Sequence, residues 1–346
     1  MTTVRADSLA TWTAAVLESW GYASADAGFI ADSLVDANLR GVDSHGVLRL
    51  PAYARRVEEH LVVPTARPIV TRSGGAIAVD ANGAPGQLAA RDAVERLVTT
   101  SRELGVAFAT VRGSTHFGAA GYYARLLAAE GQVAFVVSNS EPAVVPHGGS
   151  QALLGTNPLA FAAPTGGAPV SLDMATSTVA MGKVAVALAQ HEKIPADWGV
   201  DEGGKGTTDP AAVTALLPMG GPKGYGLAMI VEILGGVLSG AAIAHDLGNM
   251  YTDFERPQNV GHWMLALNIE AVMPIPMFAE RMQSLIAMVR ATPATDAARP
   301  VLLPGEPEDI VSAVRSADGI PLPDDTVAEL SALGDRYGVP FLSATR

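Results

Sequence analysis

The sequence predicts a mixed α/β fold of the α+β kind, with a helical head packed on a layered α/β body. Three features carry this. The first sixty residues repeat apolar positions at helical spacing, the period then changes to short strand-like runs, and from Gln87 onward strands and helices alternate. A chain of 346 residues, 49% apolar and 17% charged, is long enough for one large or two ordinary domains, and its composition is that of a compact globular protein.

Asp7 or Ser8 is placed to cap a first helix ending near Gly21, and Ser24 a second, running through Phe29, Ile30, Leu34 and Leu39 to Gly41. A third helix is expected to close near His60. Residues 68–71 and 76–80 read as strands, joined by a hairpin turn at Ser73-Gly74-Gly75. Residues 87–104 and 119–129 read as helices, and 106–111 and 133–138 as strands. The Gly-, Pro- and Ser-rich stretch 142–167 reads as structured loop. A strand at 263–269, a helix at 278–289 and a last helix at 324–337 complete the expectation. No repeat or low-complexity linker marks a domain boundary.

A net charge of −12 without a basic cluster argues against nucleic acid and anionic membranes as partners. The absence of cysteine excludes disulfides, thiolate nucleophiles and cysteine-ligated metal. The opening Met1-Thr2-Thr3-Val4-Arg5-Ala6-Asp7 has no basic region followed by an apolar one, so a cytoplasmic location is the expectation. Residues 224–244 are apolar enough to raise the question of a membrane span. Glu232 in the middle would cost roughly 2.5 kcal/mol or more there. A fully buried helix, with glycines that admit another backbone, is the better reading.

Chemistry concentrates in Gly41-Val42-Asp43-Ser44-His45-Gly46-Val47-Leu48-Arg49-Leu50-Pro51-Ala52-Tyr53. With Ser44 as N-cap and a continuous helix, His45, Arg49 and Tyr53 share one face. Such a face can move a proton, clamp a carboxylate and position a hydroxyl, as oxidation of a small hydroxy acid requires. The same run also fits an amphipathic helix with solvated basic residues, and Pro51 can kink it.

In Gly113-Ser114-Thr115-His116-Phe117-Gly118-Ala119-Ala120-Gly121 a strand ends, a turn follows and a helix begins. Capping by Ser114 or Thr115 would set His116 in the first helical turn, where the helix dipole favours a neutral imidazole. Dinucleotide binding needs backbone N–H groups or cations at a pyrophosphate. The chain has no G-x-G-x-x-G after a strand, and Gly203-Gly204-Lys205-Gly206-Thr207-Thr208 fails the P-loop pattern. Two other candidates remain. Gly220-Gly221-Pro222-Lys223-Gly224-Tyr225-Gly226 sets a lysine among glycines before a helix. Leu172-Asp173-Met174-Ala175-Thr176-Ser177 offers a carboxylate and two hydroxyls. His60, His191, His245 and His262 show no ligand spacing, His147 reads as structural, and nothing points to a metal site.

These segments, with Val137-Ser138-Asn139, Gly155-Thr156-Asn157-Pro158 and Pro304-Gly305-Glu306-Pro307, occur in order between residues 40 and 310. Together they resemble the malate/L-sulfolactate dehydrogenase-like family, the type 2 malate/lactate dehydrogenases. Its members include ureidoglycolate dehydrogenase, 2,3-diketo-L-gulonate reductase and the Δ1-piperideine-2-carboxylate reductases. The match is looser over residues 293–300 and after Glu308.

The resemblance implies a non-Rossmann fold, consistent with the missing fingerprint, usually in a homodimer. It implies a helical domain of residues 1–66, joined by the tail 312–346, packed against a nicotinamide-binding α/β domain of residues 67–311. It implies NAD or NADP as cofactor and a small carboxylate as substrate. His45 or His116 would exchange the substrate proton, Arg49 would hold the carboxylate, and Ser44 and Tyr53 would lie nearby. Ser138, Asn139, Asp173, Met174, Ala175, Thr176, Lys223, Pro304, Gly305 and Glu306 would line the cofactor. No metal is needed. Reduction of a cyclic imino acid would use the same groups on C=N, and a non-catalytic binding module is the reading from a different class.

Overall fold

The computed structural model describes residues 1–296 and 298–342. In chain order, β1 (Thr2–Val4), α1 (Ala6–Ser19) and α2 (Ser24–Leu39) lead through two 3-10 turns into α3 (Leu50–Glu58). Next come β2 (Ile69–Ser73), β3 (Ala76–Asp80), α4 (Gly86–Leu104), β4 (Val106–Ser114), α5 (Ala120–Ala129) and β5 (Gln132–Ser138). β6 (Leu159–Ala163), β7 (Val170–Met174), α6 (Met181–Ala189), β8 (Gly199–Val200), β9 (Ala215–Leu216) and α7 (Pro222–Val231) follow. A π-helical turn, Glu232–Leu238, extends α7. β10 (Val260–Asn268), α8 (Ile275–Arg290), α9 (Glu306–Asp318), β11 (Ile320–Leu322) and α10 (Asp324–Arg336) complete the chain.

The main sheet has seven strands in the order β2-β3-β4-β10-β5-β6-β7. Only β3 and β4 pair in parallel. β10 runs between β4 and β5, antiparallel to both, with Val260 opposite Ser114 and His262 opposite Ser138. The outgoing ends of β4 and β5 therefore flank the start of β10, and this end of the sheet carries the histidine loop.

Alternation along the strands decides which face is covered. Ala107, Ala109 and Val111 of β4 and Ala134 and Val136 of β5 point into one core with Leu97 of α4 and Tyr123 and Leu127 of α5. A second core gathers Leu9, Trp12, Val16, Leu17, Ile30 and Leu34 from the head with Ile320, Leu322, Leu330 and Leu333 from the tail. The β1–β11 pair joins them by register Thr2↔Leu322 to Val4↔Ile320.

Several expectations change. Neither Asp7, Ser8 nor Ser24 is an N-cap: α1 and α2 start from Arg5 and Ala23, without a side-chain cap bond. The loop stretch 142–167 contains β6, and α9, β1 and β11 lie where the sequence marks no element. Segment 224–244 is not fully buried. Ile230, Ile233, Val237 and Leu238 are exposed, because a helix packed by one face leaves the other uncovered. Its glycines do admit another backbone. A Cβ at Gly235 would lie 3.0 Å from the Asn139 nitrogen and 3.1 Å from the Gly261 oxygen. Glu232 is buried and accepts from Asn157 Nδ2 (2.9 Å) and the Ala244 N–H (2.9 Å). No described helix is long and apolar enough to cross a membrane. Residues 343–346 of the expected tail and residue 297 lie outside the described residues.

Candidate active site

The His45 segment is not one continuous helix. Two 3-10 turns, Asp43–His45 and Val47–Arg49, are separated by an extended Gly46 (φ −89°, ψ −154°). The stacking argument for His45, Arg49 and Tyr53 therefore fails locally, and tertiary contacts do the alignment. Asn38, at the end of α2, organises the break. Its Nδ2 donates to Asp43 Oδ1 (2.7 Å) and its Oδ1 accepts from the Val47 N–H (2.9 Å). Arg315 of α9 clamps Asp43 with two bonds, at 2.7 and 3.0 Å. Nor does Ser44 cap a helix; its Oγ pairs with His45 Nδ1 at 2.9 Å. A Cβ at Gly46 would fall 2.2 Å from Asn38 Oδ1. Gly46→Ala should therefore destabilise the protein by about 1–3 kcal/mol. Denaturant unfolding checks this; an unchanged midpoint would contradict it.

His116 sits in the loop before α5, which begins at Ala120, and so lies outside the first helical turn. Burial lowers its basicity, helped by the positive charge of Arg49. His45 is lowered to about 4, by burial first and Arg49 second. The two rings stack at 5.3 Å between centroids. Both are therefore neutral near neutral pH.

The hydrogen bonds also fix the His116 tautomer. The Gly118 N–H donates to Nδ1 (3.3 Å), and the Tyr53 hydroxyl lies 2.6 Å from the same nitrogen. Gln87 Nε2 donates to the Tyr53 oxygen at 3.0 Å, leaving the phenolic proton for His116. Nδ1 thus carries the lone pair, and the ring hydrogen is on Nε2. The His116 backbone N–H donates to Gln258 Oε1 (3.3 Å). Arg49 donates through Nε to the Ser44 carbonyl (2.6 Å), and its guanidinium lies over the Tyr251 ring at 5.3 Å. It makes no ion pair among the described residues.

His262, which no ligand-like spacing marks in the sequence, lies at the centre. It is fully buried, stacks on Phe117 at 4.0 Å, and bonds Ser138 Oγ through Nδ1 (2.9 Å) and Ser114 Oγ through Nε2 (2.8 Å). It ties the ends of β4 and β5 together, and burial lowers it to about 3. With folded values of about 4 and 3 for His45 and His262 against 6.5 unfolded, the unfolded chain binds more protons below that pH. Stability should therefore be full above about pH 6.5 and fall progressively towards pH 4 and below. Melting temperatures across that range check it; a flat profile would contradict it.

Other predicted residues fall along the β5–β6–β7 side. Ser138 and Asn139 are buried, and Asn139 is committed internally, donating to the Ala242 carbonyl (2.8 Å) and accepting from the Gly261 N–H (2.9 Å). Thr176 is buried and donates to the Thr156 carbonyl (2.9 Å), while its own carbonyl accepts from the Met219 N–H (2.9 Å), just before α7. Lys223 is exposed in the first turn of α7. Asp173 is exposed, accepts from the Gly121 N–H (2.7 Å) and is followed by the half-buried Met174 and Ala175. The Pro304 carbonyl accepts from the Ser171 N–H (3.0 Å). Beside it Gly305 is buried and starts α9, and Glu306 pairs with Arg290 at 2.5 Å. Among the described residues there is no cluster of three metal-ligating side chains.

A family model for malate/L-lactate dehydrogenase matches residues 4–331. The chain belongs to the malate/L-lactate dehydrogenase family. It is 36% identical to a malate dehydrogenase from Pyrococcus abyssi, over 97% of this chain and 95% of that one. Identity is 35% to the ureidoglycolate dehydrogenase (NAD(+)) of Escherichia coli K12, over 86% of each. It is 36% to a (2R)-3-sulfolactate dehydrogenase (NADP(+)) from Chromohalobacter salexigens, over 92% and 94%. The sulfolactate dehydrogenase structure from Methanocaldococcus jannaschii superposes with a TM-score of 0.91 at 31% identity, covering 98% of both chains. The protein is an NAD(P)-dependent dehydrogenase of small hydroxy acids. In this dehydrogenase Arg315, Gln87 and Gln258 support the segments that carry His45, Tyr53 and His116 from far away in sequence, and no local signal marks them.

Proposed function

We propose that this dehydrogenase interconverts a 2-hydroxy acid of the malate, lactate, sulfolactate or ureidoglycolate type and its 2-oxo acid. Arg49 holds the carboxylate, and the proton is exchanged at the His45–His116 pair. The observation that carries this is two stacked neutral imidazoles beside a half-buried guanidinium that has no ion-pair partner among the described residues. A neutral imidazole can take the hydroxyl proton in oxidation, and its N–H can polarise a carbonyl in reduction.

The residues present fit a nicotinamide dinucleotide. Lys223 at the start of α7 suits a phosphate. A cleft of about 520 Å³ has Val170, Ile286, Leu302 and Ile310 as apolar walls and Glu306 and Asp309 as carboxylates, which suits a base and its ribose. Bound nicotinamide supplies the hydride exchange at C4. Ser138, Asn139 and Thr176, with side chains committed inside the protein, would shape this site through the backbone they hold. A sheet with a single parallel pair, together with the absent glycine fingerprint, supports a non-Rossmann cofactor site. The core shared by head and tail supports a helical domain of residues 1–66 and 312–346 against a cofactor domain of residues 67–311. Activity of the purified protein with reduced cofactor and 2-oxo acids tests the reading; turnover of a cyclic imino acid alone would favour C=N reduction.

We also propose a homodimer closed over the exposed apolar face Ile230, Ile233, Val237 and Leu238. Val237→Asp is expected to shift the light-scattering mass to that of a monomer. A monomeric wild type would contradict this.

A further inference from the structure

Three arginines at and within α3 reach across to one segment, residues 249–256, which leads into β10. Arg56 is 1% exposed and spends its terminal nitrogens on carbonyls of that segment. Nη1 donates to Met250 (3.5 Å) and Asp253 (3.0 Å), and Nη2 donates to Arg256 (3.3 Å). The Arg55 guanidinium lies over the Phe254 ring at 3.7 Å, and that of Arg49 over the Tyr251 ring at 5.3 Å. Both are cation–π contacts.

The segment is also closed on itself. Asn249 Oδ1 accepts from the N–H groups of Tyr251 (2.9 Å) and Thr252 (3.1 Å), and Arg256 Nε donates to Asp253 Oδ2 (2.6 Å). A buried guanidinium is costly unless it is bonded, and Arg56 meets that cost with backbone carbonyls. Its bonds therefore fix where the backbone of residues 250–256 lies against α3.

Tyr251 is 47% exposed, so its ring adds little to core packing. What it does cover is one face of the Arg49 guanidinium, where it excludes water and resists rotation of the plane. Arg49 Nε is held by the Ser44 carbonyl (2.6 Å), and the terminal nitrogens have no partner among the described residues. With Nε anchored and one face covered, those nitrogens keep a single direction.

We propose that Tyr251 is a positioning residue for the substrate carboxylate, held over Arg49 by the latch of Arg56 on segment 249–256. Tyr251 acts through Arg49. It orients the fork in advance, so less side-chain freedom is lost when the carboxylate binds. The inference rests on the reading that Arg49 holds the substrate carboxylate.

The test compares wild type, Tyr251→Ala and Tyr251→Phe by initial rates with oxaloacetate, pyruvate and sulfopyruvate at saturating reduced cofactor. Fluorescence titration of the cofactor accompanies the rates. Tyr251→Ala is expected to raise KM for the acid roughly 3- to 10-fold, with kcat and cofactor affinity nearly unchanged. Tyr251→Phe keeps the ring and is expected to show the wild-type KM. A wild-type KM in Tyr251→Ala, or an equal loss in both variants, overturns the positioning role. Arg56→Lys cannot span three carbonyls. It is expected to raise KM in the same way and to speed amide hydrogen exchange in residues 249–256; unchanged exchange and KM overturn the latch. Arg56 is buried, so if Arg56→Lys does not fold the two Tyr251 variants decide alone. Arg49→Leu separates the two layers. If it loses kcat/KM while Tyr251→Ala does not, only the positioning role fails. If it keeps the wild-type kcat/KM, the reading of Arg49 fails as well.

Discussion

His116→Ala is expected to lower kcat by roughly 10²–10⁴-fold and to leave affinity for the reduced cofactor nearly unchanged. The ring is fixed at Nδ1 by Tyr53 and the Gly118 N–H, and the backbone N–H of the same residue donates to Gln258 Oε1. That fixation selects the Nε2–H tautomer, the form that can hand a proton to a substrate oxygen. His45 has a less committed setting, with only Ser44 on Nδ1 among the described residues, so His45→Ala is expected to cost about 10²-fold, at the lower end of that range. Steady-state rates with fluorescence titration of the cofactor check both. Wild-type turnover in both variants would show that neither imidazole handles the proton.

Arg49→Leu is expected to reduce kcat/KM for the acid by roughly 10²-fold or more, the scale of about 3 kcal/mol for a lost charge-assisted pair. Nε is anchored to the Ser44 carbonyl and one face is covered by Tyr251, which leaves the terminal nitrogens for a bidentate carboxylate. Arg49→Lys keeps the charge without the planar fork and should recover only part of the loss. Initial rates at limiting acid concentration decide this. An unchanged kcat/KM in the leucine variant would move the carboxylate elsewhere.

How much of this could be read from the sequence differs with range. The histidines and Arg49 were legible because short glycine-flanked runs concentrate unusual residue types. The geometry assigned to them was not. Gly46 breaks the run into two turns, so His45 and Arg49 are aligned by Asn38 and by Arg315, which lies 272 residues from its partner Asp43. The dipole argument for His116 failed because α5 starts only at Ala120. Burial beside Arg49 and His45 keeps the ring neutral instead. His262 reads as an ordinary strand position, since its partners Ser138 and Ser114 are 124 and 148 residues away and only sheet register brings them together. Helix α9 could have been anticipated. Pro307 near its start and the acids Glu306, Glu308 and Asp309 in its first turn are helix-opening signals that overlap the Pro-Gly-Glu-Pro motif.

The central claim is hydride exchange between a nicotinamide and a small 2-oxo acid, and absorbance at the reduced-nicotinamide band tests it most directly. The purified protein would be mixed with NADH or NADPH and a panel of oxaloacetate, pyruvate, sulfopyruvate, a diketogulonate and a cyclic imino acid. Loss of absorbance with at least one 2-oxo acid, abolished by His116→Ala, is the predicted result. No loss with any panel member, and no binding of either cofactor by fluorescence, would contradict the account.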